Sequence, residues 1–139
     1  EFKSALCVVD AGTAVTVDAL DREGRHLGGL IIPGLVLMAT SLHMNTGEIP
    51  PVKAGRKPVT SGDGLFANTT DGAVQNGALA AVTGAIDRSI AALRRAGMRP
   101  KVILTGGDAA RILKELDGNV LHRPHLVLQG LARMVPGTT

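Results

Sequence analysis

Two short segments carry the residue types that phosphate chemistry needs. Asp10-Ala-Gly-Thr13-Ala-Val-Thr16-Val-Asp18 sets a carboxylate, a glycine and a hydroxyl within four residues. A carboxylate at a strand end can hold a cation. Gly12 lets backbone N–H groups come close to a phosphate, and the Thr13 hydroxyl adds a donor. Leu104-Thr105-Gly106-Gly107-Asp108-Ala109 passes from a strand through two glycines to a helix N-terminus, a flat surface on which a nucleotide can lie. Each segment also fits a plainer role. The first can be a hairpin turn only, and the second an ordinary strand-to-helix turn with Asp108 as N-cap. Taken as a pair they favour a phosphate site, because a nucleotide cleft needs two such turns, each after a strand.

Other chemistries find no support. No Gly-x-x-x-x-Gly-Lys-Ser/Thr loop is present, and Gly62-Asp-Gly64-Leu-Phe-Ala67 follows no strand, so it is not a dinucleotide loop. His122 and His125 flank Pro124 without a third ligand nearby, which argues against a metal site. No serine-nucleophile elbow appears. Asn68-Thr69-Thr70 is a glycosylation sequon that matters only after secretion. Asp63, Asp71 and Asp87 read as solvated or capping residues.

The elements that must position the two turns follow from periodicity. Ala5 to Val9, Ala14 to Leu20 and Arg25 to Ile32 predict a three-stranded antiparallel meander, with the polar turn Asp21-Arg22-Glu23-Gly24 in its second hairpin. Pro33-Gly34 launches a helix from Leu35 to about Met44, with Leu35, Met38 and Leu42 on one face and Gly47 as a left-handed stop. Glu48 to Asn68 reads as a long functional loop. A helix from about Thr70 to Ala96 carries the apolar stripe Val74, Ala78, Val82, Ile86, Ile90 and Leu93. Its second stripe, Gly77, Ala81 and Gly84, predicts a crossing helix, from this chain or a second subunit, because glycine costs helix propensity. Gly97 stops it. A strand Val102–Leu104, a helix Ala109–Leu116, a brief strand Val120–Leu121 and a helix Leu126–Met134 complete the order β-β-β-α-α-β-α-β-α. Hairpins first and crossovers later give an α/β fold, a mixed sheet with helices on it.

Composition narrows the classes. The 139 residues suffice for one domain or a piece of one, and 45% hydrophobic against 19% charged excludes a disordered polar chain. No apolar run reaches the roughly 18 residues of a membrane span. Cys7 is the single cysteine, so no internal disulfide forms. A cytoplasmic protein is expected. Tyr and Trp are absent and Phe occurs twice, which removes the stacking platform of single-strand nucleic-acid readers. The net charge of +3 comes from scattered Lys and Arg, grouped no more densely than Arg94-Arg95 and Arg56-Lys57, so neither nucleic acid nor membrane is an expected partner. The chain opens without methionine and enters a strand within five residues, which predicts half of a larger protein.

The ordered set of segments resembles the type III pantothenate kinases, the family that includes Bvg accessory factor proteins. The resemblance rests on Asp10–Asp18, Gly28-Gly-Leu-Ile-Ile-Pro-Gly34, Gly62 to Asp71, Leu104–Ala109 and the ending Arg123 to Leu131. It implies one half of the acetate and sugar kinase, heat-shock cognate and actin fold (ribonuclease H-like), with residues 1–139 as the C-terminal ATP- and pantothenate-binding domain. It implies ATP-dependent phosphorylation of pantothenate to 4′-phosphopantothenate, the first step of coenzyme A synthesis. A homodimer is implied, using a monovalent cation (potassium or ammonium) and Mg2+ with the nucleotide. By the same resemblance Asp10 is the cation ligand, and Gly12 and Thr13 meet the ATP phosphates. Gly106 and Gly107 are the wall beside the adenosine, and Thr69 contacts pantothenate where the dimer partner helps build the pocket. The family's N-terminal half, with its first phosphate loop and its general base, has no counterpart here, so no catalytic base is expected in this chain and the chain alone is expected to be inactive. His125 departs from the acidic or polar residue expected there. Two rivals remain: a non-catalytic nucleotide-binding regulator of the same half-fold, and another enzyme of the superfamily such as a sugar kinase or phosphatase.

Overall fold

A computed structural model describes residues 3–51, 60–61 and 64–134. Arg56-Lys57, Gly62 and Asp63 therefore lie outside the described residues. Strands β1 (Leu6–Ala11), β2 (Ala14–Leu20) and β3 (His26–Pro33) form the expected meander. Strands β6 (Lys101–Thr105) and β7 (Val120–His122) join it in parallel, giving one five-stranded mixed sheet of order β3-β2-β1-β6-β7. The expected fold class holds, and this is the strand order of a ribonuclease H-like half. The second hairpin is held by Asp21, whose carboxylate accepts the Glu23 and Arg25 amides at 3.0 and 2.9 Å, while Gly24 takes φ +82°. Those bonds and the Arg25 guanidinium keep the Asp21 carboxyl below its ordinary range.

Register decides which residues the helices cover. Cys7 faces Ala19, Val9 faces Val17 and Ala11 faces Val15, while Cys7 and Val9 also sit beside Val102 and Leu104. Alternate residues of a strand share a face, so one apolar face runs across β2, β1 and β6. Helix α2 (Thr70–Arg95) lays its stripe on it, and Val74, Ala78, Val82, Ile86, Ile90 and Leu93 are all buried. Each large side chain buried there contributes roughly 1.5–3 kcal/mol. Leu35 of α1 (Leu35–Asn45) and Ala109 and Ile112 of α3 (Ala109–Leu113) complete the core. After α2, Gly97 takes φ +81° and the Met98 amide bonds to the Leu93 carbonyl at 3.0 Å, the left-handed stop expected there.

Several expectations need correction. Gly77 and Gly84 meet no close neighbour: among the described residues nothing beyond their own helix lies within 4 Å of where a Cβ would stand. No described helix of this chain crosses there. In α1 the buried pair is Leu35 and Ala39, while Leu42 is exposed. Gly47 is not the left-handed stop either. Thr46 ends the helix in extended backbone, its hydroxyl donating to the Leu42 carbonyl. Helix α3 closes three residues early, where the Glu115 amide bonds to Ile112 and tightens the turn. Within the long loop, β4 (Thr60–Ser61) pairs with β5 (Phe66–Ala67), a two-residue ladder with no periodicity to announce it. Gly62 does follow a strand, against expectation, but the segment ends in a second strand and opens no helix as a dinucleotide loop would. Helix α4 (Leu126–Met134) has the expected bounds and buries none of its residues.

Candidate functional site

Three turns meet at one end of the sheet. Between β1 and β2 the Gly12 amide bonds to the Ala14 carbonyl at 3.0 Å, closing a tight hairpin. Gly34, which starts α1, donates its amide to the Thr13 carbonyl at 2.8 Å, and a Cβ on it would stand 2.6 Å from that oxygen. Gly106 follows β6 with φ +97°, and a Cβ there would lie 2.5 Å from the Ala11 carbonyl oxygen. The Asp108 amide then bonds to that same carbonyl at 3.0 Å. Backbone thus rests on backbone at both contacts, and no side chain can be inserted without moving a strand.

A cavity of about 590 Å3 opens over this junction. Ala11, Gly12 and Thr13 line it from the first turn, Gly107 and Asp108 from the second, and Val36, Leu37 and Thr40 from α1. Of the residues singled out in the sequence, Gly12, Thr13 and Gly107 are brought together. Gly106 is not a lining residue. It is the joint that lets Gly107 reach the wall. The Gly12 amide is already engaged, by the hairpin bond to Ala14. Among the described residues the Thr13 and Gly107 amides make no backbone bond, and they remain for a ligand.

Asp108 occupies the N-cap position of α3 but makes no side-chain capping bond. Its carboxylate at the cavity wall favours a cation or hydroxyl donors on whatever binds. Val36, Leu37 and Thr40 went unmarked in the sequence because α1 looked like a packing helix. Only the pairing of Gly34 with Thr13 turns its outer face toward the cavity.

Asp10 sits one residue before the cavity, half-buried, on the sheet face opposite the core. Register sets it beside Thr16 on β2 and Thr105 on β6. One carboxylate and two hydroxyls therefore share a face across three strands, a hard oxygen donor set that suits a monovalent cation. Among the described residues no group of three or more His, Cys, Asp or Glu side chains is placed to hold a metal ion. No described helix is long and apolar enough to cross a membrane.

Thr69 does not line the cavity. It caps α2, its hydroxyl oxygen accepting the Gly72 amide at 3.2 Å. A polar chain fixes this helix end. Gln75, buried, donates to Asp71 at 3.0 Å and accepts from Arg111 of α3 at 3.2 Å. Asn76 donates to the Gly64 and Leu65 carbonyls at 3.0 and 2.8 Å. Asp71 thus does more than face solvent. The Gln75–Arg111 contact spans 36 positions, a separation that no local pattern reveals.

Comparison with known proteins gives a consistent answer. The family model described as type III pantothenate kinase matches residues 1–92. A type III pantothenate kinase of Nitrosococcus oceani is 42% identical over 140 residues, covering 99% of this chain and 50% of that protein. One from Janthinobacterium is 44% identical over 128 residues, covering 91% and 48%. The chain spans about half the length of the curated relatives it matches. Among solved structures, a conserved protein assigned to the Baf family of transcriptional activators from Campylobacter jejuni superposes with a TM-score of 0.63 at 24% identity, over 94% of this chain and 57% of that one. That likeness bears on the fold alone.

Proposed function

Because the chain belongs to the type III pantothenate kinase family, we propose that it supplies the C-terminal half of an ATP and pantothenate site. The complete enzyme transfers the terminal phosphoryl group of ATP to the pantothenate hydroxyl, giving 4′-phosphopantothenate for coenzyme A synthesis, as a cytoplasmic homodimer. The observation that carries the reading is the single cavity joining Gly12-Thr13 to Gly107.

Phosphoryl transfer asks a protein mainly for positioning and charge compensation. The Thr13 hydroxyl and amide donate to phosphate oxygens, and the Gly107 amide adds a donor on the facing wall. Val36 and Leu37 offer apolar surface to the base. Asp10, with Thr16 and Thr105, would hold the monovalent cation, which offsets phosphate charge when bound, and Mg2+ accompanies the nucleotide. Thr69 accepts from Gly72 and so keeps its O–H to donate to pantothenate, with the dimer partner closing that pocket. The general base that takes the substrate proton belongs to the other half of the enzyme.

The test is a phosphoacceptor panel run on the complete enzyme with ATP: pantothenate, several sugars, and no acceptor. Turnover on pantothenate above all others is expected. Turnover on a sugar would assign another enzyme of the superfamily, and nucleotide binding without turnover would assign a regulator.

A further inference from the structure

A second cavity, of about 440 Å3, opens between the last turns of α2 and the start of the β1–β2–β3 meander. It is remote from the glycine turns. Cys7 lines it, while Ala11 borders the other cavity, four residues or roughly 13 Å further along β1. Val17, Leu27, Leu30, Leu93 and Met98 give it an apolar body. Leu27 and Leu30 remain 50% and 46% exposed, apolar surface that a ligand would remove from water. Burial pushes the Cys7 thiol up to about 11, with the charge of Asp18 adding to the effect, so this wall stays neutral.

One charge borders the cavity. Among the described residues Arg88 is the single charged side chain lining it, and no described residue gives it a hydrogen bond or ion pair. The sequence explains why: the positions three and four away on α2 are Gly84, Ala85, Ala91 and Ala92, none of which can pair with it. Asp87 is exposed and does not line the cavity. Asp18 alternates with Val17 and Ala19, which puts it on the other sheet face, where His26 lies 2.8 Å from it. Ser89, also at the wall, donates its hydroxyl to Ala85 at 2.8 Å and keeps lone pairs for a polar head group.

We propose that this cavity binds a small amphipathic acid, its aliphatic body against Val17, Leu30 and Met98 and its carboxylate on Arg88. The volume falls within the roughly 300–1,000 Å3 of small-molecule pockets, and the combination of apolar walls with one placed charge is how such pockets set orientation. The site is independent of the proposed kinase reaction.

Met98 makes the test direct. The protein is labelled at its methionine methyl carbons, the Met98 signal is assigned with Met98→Leu, and octanoate, octanamide and acetate are titrated below any micelle-forming concentration. Octanoate should shift the Met98 methyl saturably, octanamide should bind roughly tenfold to a hundredfold more weakly, and acetate should leave the signal unmoved. Arg88→Gln, an exposed position whose substitution leaves the core intact, should reduce octanoate to the affinity of octanamide. An unmoved Met98 signal with octanoate, as when another part of the protein fills the cavity, overturns the proposal. Equal affinities of acid and amide in the wild-type protein overturn it as well.

Discussion

Glycine serves opposite purposes in two regions of this molecule. At the turn junction Gly34 and Gly106 sit where a Cβ would stand 2.6 and 2.5 Å from a neighbouring backbone oxygen. On the outer face of α2, Gly77 and Gly84 sit where a Cβ would meet nothing within 4 Å among the described residues. The first pair is required by contact inside the chain. The second has no such requirement there, although glycine costs a helix interior about 0.8–1.0 kcal/mol relative to Ala. Glycine content in a sequence therefore does not locate a close approach. Which backbone lies opposite does, and only the sheet register supplies that.

The sharpest way to break the contrast is Gly106→Ala. The new side chain meets the Ala11 backbone and must adopt φ near +97°, so strain and overpacking act together. A loss of about 2–5 kcal/mol is expected in chemical denaturation. A loss below about 1 kcal/mol would mean the turns separate easily and the junction is not rigid. Thr13→Ala comes next. Thr13 is exposed at the cavity and its side chain supports no fold contact, so stability should hold while ATP use in the complete enzyme falls roughly tenfold to a hundredfold. Unchanged turnover and Michaelis constant for ATP would remove Thr13 from the site.

The smallest effect lies in the other region. Gly84→Ala should stabilise the 139-residue chain by up to about 1 kcal/mol, seen as a higher denaturation midpoint. If that substitution destabilises instead, and does so only at concentrations where dimers form, a partner helix packs on Gly84 and the two glycine regions share one cause after all. That outcome would restore the crossing helix from a second subunit.

The sequence made most of the scaffold readable because the relevant signals are local. The period-2 run at Ala14–Leu20 and the stripe from Val74 to Leu93 each encode an element and its buried face, and both are realised. The two glycine turns were readable as a pair for the same reason. What escaped depends on residues far apart in the chain. Val36 and Thr40 face the cavity because Gly34 docks on Thr13, and Gln75 meets Arg111 because α3 returns beside α2. The division of labour between Gly106 and Gly107 escaped too, since adjacent identical residues carry no signal of which one packs and which one faces the ligand. The resemblance supplied the family, now supported by relatives above 40% identity. The roles it assigns to Asp10, Thr13, Gly107 and Thr69 stand as proposals.

The central proposal is that this chain holds one wall of a kinase site and that the base is supplied by the other half of the enzyme. It is tested most directly by measuring phosphoryl transfer from ATP to pantothenate by the 139-residue chain alone, and again after adding the N-terminal half of the enzyme as a separate polypeptide. No turnover is expected from the chain alone, because a missing general base costs about 10²–10⁴-fold and a missing wall removes positioning and water exclusion. Turnover should appear in the mixture and fall there on Thr13→Ala. Turnover by the chain alone at a rate comparable with the complete enzyme would contradict the account, and would place the base on a carboxylate within these residues, with Asp18 the first to examine.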